Sequence, residues 1–188
     1  MLLTACGPSP TPSNRPTNSI LRATDLPAGW RVDPSLLVGS APPCVKAAES
    51  PLQGLSSAEA AFAGEEHDLA SLVERVVVLP RTGRTTRFSE VVHQYAGCNE
   101  TSWVNGGTRF ELSISARMLS PPPGADLAGF ATSVSSPATN VQPNPYPGYL
   151  DFALVGDRMI ELSMEFADIP VDAPTFDSLV ARAISLAK

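Results

Sequence analysis

Apolar and polar residues alternate along residues 108–119, with Phe110, Leu112, Ile114, Ala116 and Met118 on one side and Arg109, Glu111, Ser113, Ser115 and Arg117 on the other. A period of two is that of a β-strand with one dry and one wet face. Pro121-Pro122-Pro123-Gly124 ends it. Residues 150–166 read as a hairpin, with Leu150, Phe152 and Leu154 alternating on the first strand and Ile160, Leu162, Met164 and Phe166 on the second. A two-residue turn at Gly156-Asp157 sets Phe152 opposite Glu161. A three-residue loop, Gly156-Asp157-Arg158, sets Phe152 opposite Leu162 and Leu154 opposite Ile160, with all the apolar residues on one face. The three-residue loop is expected, because it gives the hairpin a single dry side.

Helical spacing marks two other stretches. Phe88, Val91, Val92 and Tyr95 recur at i, i+3, i+4 and i+7 and predict a helix over 86–96, ended by Gly97. Asp172 as cap and Pro174 in the first turn predict a last helix whose stripe of Phe176, Leu179, Val180, Ala183 and Ile184 lies on the sheet. Between these elements the pattern is less sharp. Residues 19–25 suit a short helix stopped by Leu26-Pro27-Ala28-Gly29, and an Ala-rich helix is expected from Cys44 to about residue 49. Val76-Val77-Val78-Leu79 is read as a strand for its β-branched run before Pro80. Residues 132–148, rich in Ser, Pro and Asn, read as a long surface loop.

The first eighteen residues belong to neither pattern. Leu3-Thr4-Ala5-Cys6 has the form of a bacterial lipobox, an aliphatic residue and two small ones before a cysteine that carries lipid. Export needs a basic segment and roughly 7 to 15 apolar residues ahead of such a site, so the reading expects a start upstream of Met1 and Cys6 as the first residue of the mature protein. The alternative is a chance match. Gly7 to Asn18 carries four prolines and no apolar side chain to bury, which suits an extended tether. The expected organisation is therefore a signal-peptide remnant over 1–6, a tether over 7–18 and one extracytoplasmic domain over 19–188.

Composition fits that picture. The 188 residues are 43% hydrophobic, enough for one core, and no run of 18 apolar residues occurs. A net charge of -6 with scattered basic residues argues against nucleic acid. Charged residues make up only 17% of the chain, and prolines number 19. Of three cysteines, Cys6 would be lipidated, leaving Cys44 and Cys98 as an even pair that reads as a disulfide in an exported chain. Two buried thiols are the alternative.

Catalytic patterns are missing. His67 and His93 stand apart from any metal-ligand spacing, and no nucleophile elbow, phosphate-binding glycine loop or Cys-x-x-Cys pair occurs. No enzyme, metal or cofactor is read. Trp103, Asn105, Tyr146 and Tyr149 are placed in loops, and Trp103, Tyr146 and Tyr149 are the candidates for stacking on a ligand. Packing of these aromatics onto the domain is the plainer alternative.

The lipobox, the tether, Leu26-Pro27-Ala28-Gly29-Trp30 where the domain starts, Cys44 and Cys98, and the closing hairpin and helix resemble an actinobacterial, mycobacterial-type lipoprotein. The layout over about 20–188 is similar to that of domains related to the extracytoplasmic sensor domain of the mycobacterial kinase PknH. That resemblance implies an antiparallel sheet packed with helices around a cleft that binds a ligand. It departs in cysteine content, since it implies two disulfides and this chain has cysteines for one. The expected fold is α+β, an antiparallel sheet packed on one face by helices in a two-layer sandwich. The expected role is a membrane-anchored, sensor-like binding domain for a small molecule, lipid or glycan on the extracytoplasmic face. A module that docks an envelope protein is the alternative.

Overall fold

The computed structural model of the chain describes residues 18–37, 41–64, 70–99, 101–105, 107–136, 145–166 and 172–188. Cys6, its lipobox and the tether up to residue 17 lie outside the described residues, as does His67. Eight strands form one antiparallel sheet in the order β1-β2-β3-β8-β7-β6-β5-β4. Three come early: β1 (Trp30–Val32), β2 (Ser57–Gly64) and β3 (Ser71–Val78). Five come late: β4 (Thr101–Asn105), β5 (Thr108–Arg117), β6 (Ala125–Ser135), β7 (Tyr146–Val155) and β8 (Arg158–Glu165). The chain leaves β3 at the middle of the sheet, passes through helix α2 (Arg84–Ala96) and reaches β4 at the far edge. It then winds back strand by strand until β8 pairs with β3, from Ser71 opposite Glu165 to Val78 opposite Arg158. Two meanders are thus zipped together in the middle.

Helices cover both faces of this sheet. Helix α3 (Ala173–Ala187) packs Phe176, Leu179, Val180, Ala183 and Ile184 against Phe62, Leu72, Val76, Ala153, Ile160, Leu162 and Met164. Asp172 caps it as expected, its Oδ1 accepting the Thr175 N–H at 3.2 Å, with Pro174 in the first turn where no N–H partner is lost. The other face takes α1 (Pro43–Glu49) and α2, which bring Ala48, Phe88, Val91 and Tyr95 against Val77, Phe152, Leu154 and Met159. The α+β class with an antiparallel sheet and helices is what the structure shows. The two-layer arrangement is corrected to three layers, helix on sheet on helix, because inward-facing side chains on both faces of the central strands are apolar.

The same fact corrects the hairpin. Phe152 pairs with Glu161, Leu154 with Met159 and Val155 with Arg158, across a two-residue turn at Gly156-Asp157 in which Gly156 takes φ 61°. Leu150, Phe152 and Leu154 point to the α2 side and Ile160, Leu162 and Met164 to the α3 side. A hairpin buried on both sides has no need to gather its apolar residues on one. The register matters for function, because it carries Glu161 to the α2 side beside Phe152.

Residues 132–148 are not one loop. β6 runs to Ser135 and β7 starts at Tyr146, while 137–144 lie outside the described residues. Trp103, Tyr146 and Tyr149 accordingly sit on strands, and Asn105 ends β4. β5 follows the expected alternation, with Leu112 and Ile114 buried, but ends at Arg117 and leaves Met118 fully exposed. No helix among the described residues is long and apolar enough to cross a membrane.

Candidate functional site

On the α1/α2 side the helices cover only one end of the central strands. Phe152 lies under Tyr95, the two rings 4.8 Å apart between centroids, and beyond Tyr95 the sheet face opens into a cleft of about 570 Å³. Val73, Arg75, Ile114, Leu150, Glu161 and Ser163 belong to its floor, by their positions on the strands. Val45 and Glu49 of α1 border one side, together with Leu36 and Leu37 from a short 3-10 turn at Pro34–Leu37. Trp103 of β4 and Phe110 of β5 border the other, their rings stacked at 5.3 Å. These two residues are directly opposed across the strand pair, so both rings project on the same face of the sheet.

Among the described residues, the charged side chains lining the cleft are four glutamates and one arginine: Glu49, Glu59, Glu161, Glu165 and Arg75. Arg75 is engaged with Glu49 at 3.1 Å and Glu59 at 3.3 Å. The Tyr95 hydroxyl reaches Glu49 Oε1 at 2.9 Å and Glu161 Oε1 at 3.0 Å. A hydroxyl has one hydrogen, so both contacts are complete hydrogen bonds only when one carboxyl brings its own proton. Of the two, Glu161 is the one whose hold on a proton is raised. Burial, reinforced by the charge of Glu49, pushes it up to about 7, and Arg75 only partly offsets this. Its Oε2 is shut off from water and has no partner in the protein. Tyr95 is held in its neutral form by burial and the two carboxyls beside it.

Of the aromatic candidates read from sequence, Trp103 lines the cleft. Tyr149 borders it, but its ring packs on the opposite face, stacked on Phe176 at 5.3 Å and lying under the Arg117 guanidinium at 4.4 Å. Tyr146 stands exposed at the start of β7, outside the cleft lining. Cys44 in the first turn of α1 and Cys98 just past α2 face each other as thiols close enough to hydrogen-bond, Cys98 fully buried. They stand outside the cleft lining, where α1 meets the end of α2. His93 is exposed on the outer side of α2. Among the described residues no group of His, Cys, Asp and Glu is placed to hold a metal ion.

The acidic residues and Tyr95 are what the sequence reading missed. Glu161, Ser163 and Glu165 alternate with apolar neighbours, which from sequence is the mark of a solvent-facing strand side. Tyr95 sat at the end of a helical stripe and read as core. The correct hairpin register was the one available signal, since it alone sets a carboxyl beside Phe152.

No protein-family model matches the chain, and no curated protein matches it. Its fold is shared with the extracellular domain of PknH from Mycobacterium tuberculosis. The TM-score is 0.57 with 10% identity, over 96% of this chain and 98% of that one. At that identity the likeness is one of fold, and the expected resemblance to this type of sensor domain holds at that level. A further solved structure, an uncharacterized Mycobacterium smegmatis protein described as an ortholog of Rv0999, aligns with a TM-score of 0.45 and 16% identity, over 88% of this chain and 93% of that one.

Proposed function

We propose that the protein is a sensor-like binding lipoprotein of the cell envelope, anchored through Cys6 on the extracytoplasmic face, and that the cleft between α1 and the Trp103–Phe110 pair is its ligand site. The observation that carries the reading is the cleft itself. A concavity of about 570 Å³ falls within the ~300 to 1,000 Å³ of small-molecule sites, and its mostly apolar lining around a few converging polar groups is the usual make-up of such sites. Sharing a fold with the extracellular domain of a kinase supports an extracytoplasmic, sensor-like role. Binding rather than catalysis is the reading we favour, because the polar groups of the described lining are carboxyls, a phenol, a guanidinium and the hydroxyls of Ser71, Thr132 and Ser163, and no histidine lies among them to activate a hydroxyl. In an oxidising compartment the facing Cys44 and Cys98 thiols would join as a disulfide.

Two experiments test this. Native mass spectrometry on the protein purified from an actinobacterial envelope should show a retained small molecule, and Val134→Trp, which fills the cleft from β6, should abolish retention while the fold persists. Wild-type protein without bound ligand, or Val134→Trp with ligand undiminished, would sink the site. For the anchor, protein expressed from its full reading frame should incorporate an alkyne fatty acid, and Cys6→Ala should not. Unlabelled wild-type protein would overturn the lipoprotein reading.

A further inference from the structure

We infer that the cleft selects a cationic amphiphile, an apolar body ending in a primary ammonium group, with the ammonium seated between Glu161 and Glu49 and the body laid along Trp103 and Phe110. The inference rests on the cleft being the ligand site and names the chemistry that fits it. Charge is the first observation. Four carboxyls line the cleft against one guanidinium, and that guanidinium is already engaged by Glu49 and Glu59. An anionic ligand would meet no unpaired positive charge among the described lining residues.

The second observation is independent of the charge count. Glu161 Oε2 is buried without a partner, and a buried carboxyl oxygen left without a donor forfeits the hydrogen bonds water would give it. Oε1 has Tyr95. Glu161 lines the cleft but Oε2 is closed to solvent, so a turn of its carboxyl toward the open space is what would give Oε2 a donor, and an ammonium brings three N–H groups together with a positive charge for the carboxyls around it. A quaternary ammonium has the charge and no hydrogen to give. It is typically held by an aromatic cage, whereas here the aromatic pair stands at the opposite wall from Glu49.

The third observation is how the two chemistries are divided. Glu49 and Glu59 lie on the α1 and β2 side with Arg75 and Tyr95 around them, and Glu161 and Glu165 follow along β8. Ile114, Val134, Leu112, Phe110 and Trp103 lie toward β4 and β5. A ligand that is polar at one end and apolar at the other matches this division.

An ammonium pairs with the ionised form of Glu161, so it competes with a proton for that carboxyl, whose Oε1 is 3.0 Å from the Tyr95 hydroxyl. The groups facing that proton are Glu49 from α1, Tyr95 from α2, Arg75 from β3, Glu59 from β2 and Glu165 from β8. Proton and ligand compete, so affinity should rise about tenfold between pH 6 and pH 8 for a single competing proton of pKa about 7.

The test is calorimetric titration of the full chain with octylamine, octyltrimethylammonium, octanol and octanoate, followed in parallel by the Trp103 indole NMR signal. Octylamine should bind at least tenfold more tightly than the other three and shift the Trp103 signal. Glu161→Gln, which keeps the shape and removes the charge, should erase the preference for octylamine over octanol and flatten the pH dependence. Octanol or octanoate binding as well as octylamine would overturn the inference and leave the cleft standing as a ligand site. Failure of all four probes, together with no retained ligand on the native protein, would remove the site itself. A preference unaltered in Glu161→Gln would also overturn it, by placing the ammonium elsewhere. Flotation with vesicles of phosphatidylethanolamine against phosphatidylcholine assigns the source. Selective capture by the former points to a lipid headgroup, and equal behaviour with octylamine still bound points to a soluble amine, the shared chemistry being upheld in both.

Discussion

The two faces of the sheet are built from the same strands and end differently. The α3 face is filled along its length: Phe62, Leu72, Met164, Phe166 and Phe176 are all at or below 2% exposure. The α1/α2 face is filled at one end and open at the other, where Trp103, Phe110, Val73 and Glu161 remain partly accessible. Both faces bury carboxyls. On the α3 side Glu74 accepts the Leu21 N–H at 2.6 Å and is sealed from water, and Asp151 lies 3.5 Å from Arg117. On the other side Glu161 stands at the floor of a cleft. The difference teaches that burial of a polar group is not itself a sign of function; what distinguishes Glu161 is open space beside it.

Truncating an aromatic on the closed face should give the largest effect. Phe176 is fully buried, stacked on Tyr149 and packed in the main core, so Phe176→Ala should cost about 4 to 5 kcal/mol of stability, near the top of the usual range for such deletions. Urea unfolding would measure it. A loss below about 2 kcal/mol would mean that the α3 face is less tightly filled than its burial indicates.

The second effect concerns the wall of the open face. A Cys44–Cys98 bridge closing a loop of 54 positions (98 minus 44) should contribute about 4 kcal/mol in the chain-entropy model. Reduction, or Cys98→Ala, should remove most of it. Cys98→Ala should also loosen α1 against α2 and blunt ligand binding, which distinguishes it from Phe176→Ala. Full alkylation of both thiols in the exported protein without reductant would rule the bridge out.

The carboxyls give a pH signature of opposite sign to ordinary acid denaturation. Burial raises Glu74 to about 7 from an ordinary 4.5, so the folded protein holds a proton that the unfolded chain releases within that window. The native state binds more protons, and stability therefore falls as pH rises from about 4.5 through about 7. Glu74→Gln mimics the protonated form and should recover about 3 kcal/mol at pH 8, without touching ligand affinity. Glu161→Gln should do the converse, altering ligand preference and its pH dependence. If the two variants behaved alike, the distinction between a sealed carboxyl and a cleft carboxyl would collapse. Chemical denaturation at pH 5 and pH 8 reads the first, and titration with octylamine reads the second.

Much of the scaffold was legible in sequence because it is written in periodicity. The stripe Phe176, Leu179, Val180, Ala183 and Ile184, its cap at Asp172, and the alternation of Leu112 and Ile114 with polar neighbours all report local geometry and survive in the structure. The cleft was not legible, and the reason is physical. Period-two alternation says which residues share a face but not whether the other face meets water, a helix or a cavity. Leu150, Phe152 and Leu154 on one side and Ile160, Leu162 and Met164 on the other are each a dry face, and reading them as a single dry face shifted the register and hid Glu161. Tyr149 shows the same ambiguity in reverse, an aromatic read as a ligand contact whose ring belongs to the core.

The smallest stability effect is the most informative about the open face. Trp103 is only half-buried, and its ring is supported chiefly by Phe110. The stacked pair is worth about 1 kcal/mol beyond the area the half-buried ring covers, so Trp103→Ala should displace the unfolding curve less than Phe176→Ala does. Yet Trp103 forms the wall against which the apolar part of a ligand would lie. The variant should therefore weaken octanol and octylamine by the same factor, since it removes apolar contact and leaves Glu161 in place. Equal weakening places the aromatic pair under the ligand body and the carboxyls under its head. Weakening of octylamine alone would instead bring Trp103 to the ammonium, which would redraw the division of the cleft into an apolar and an acidic half.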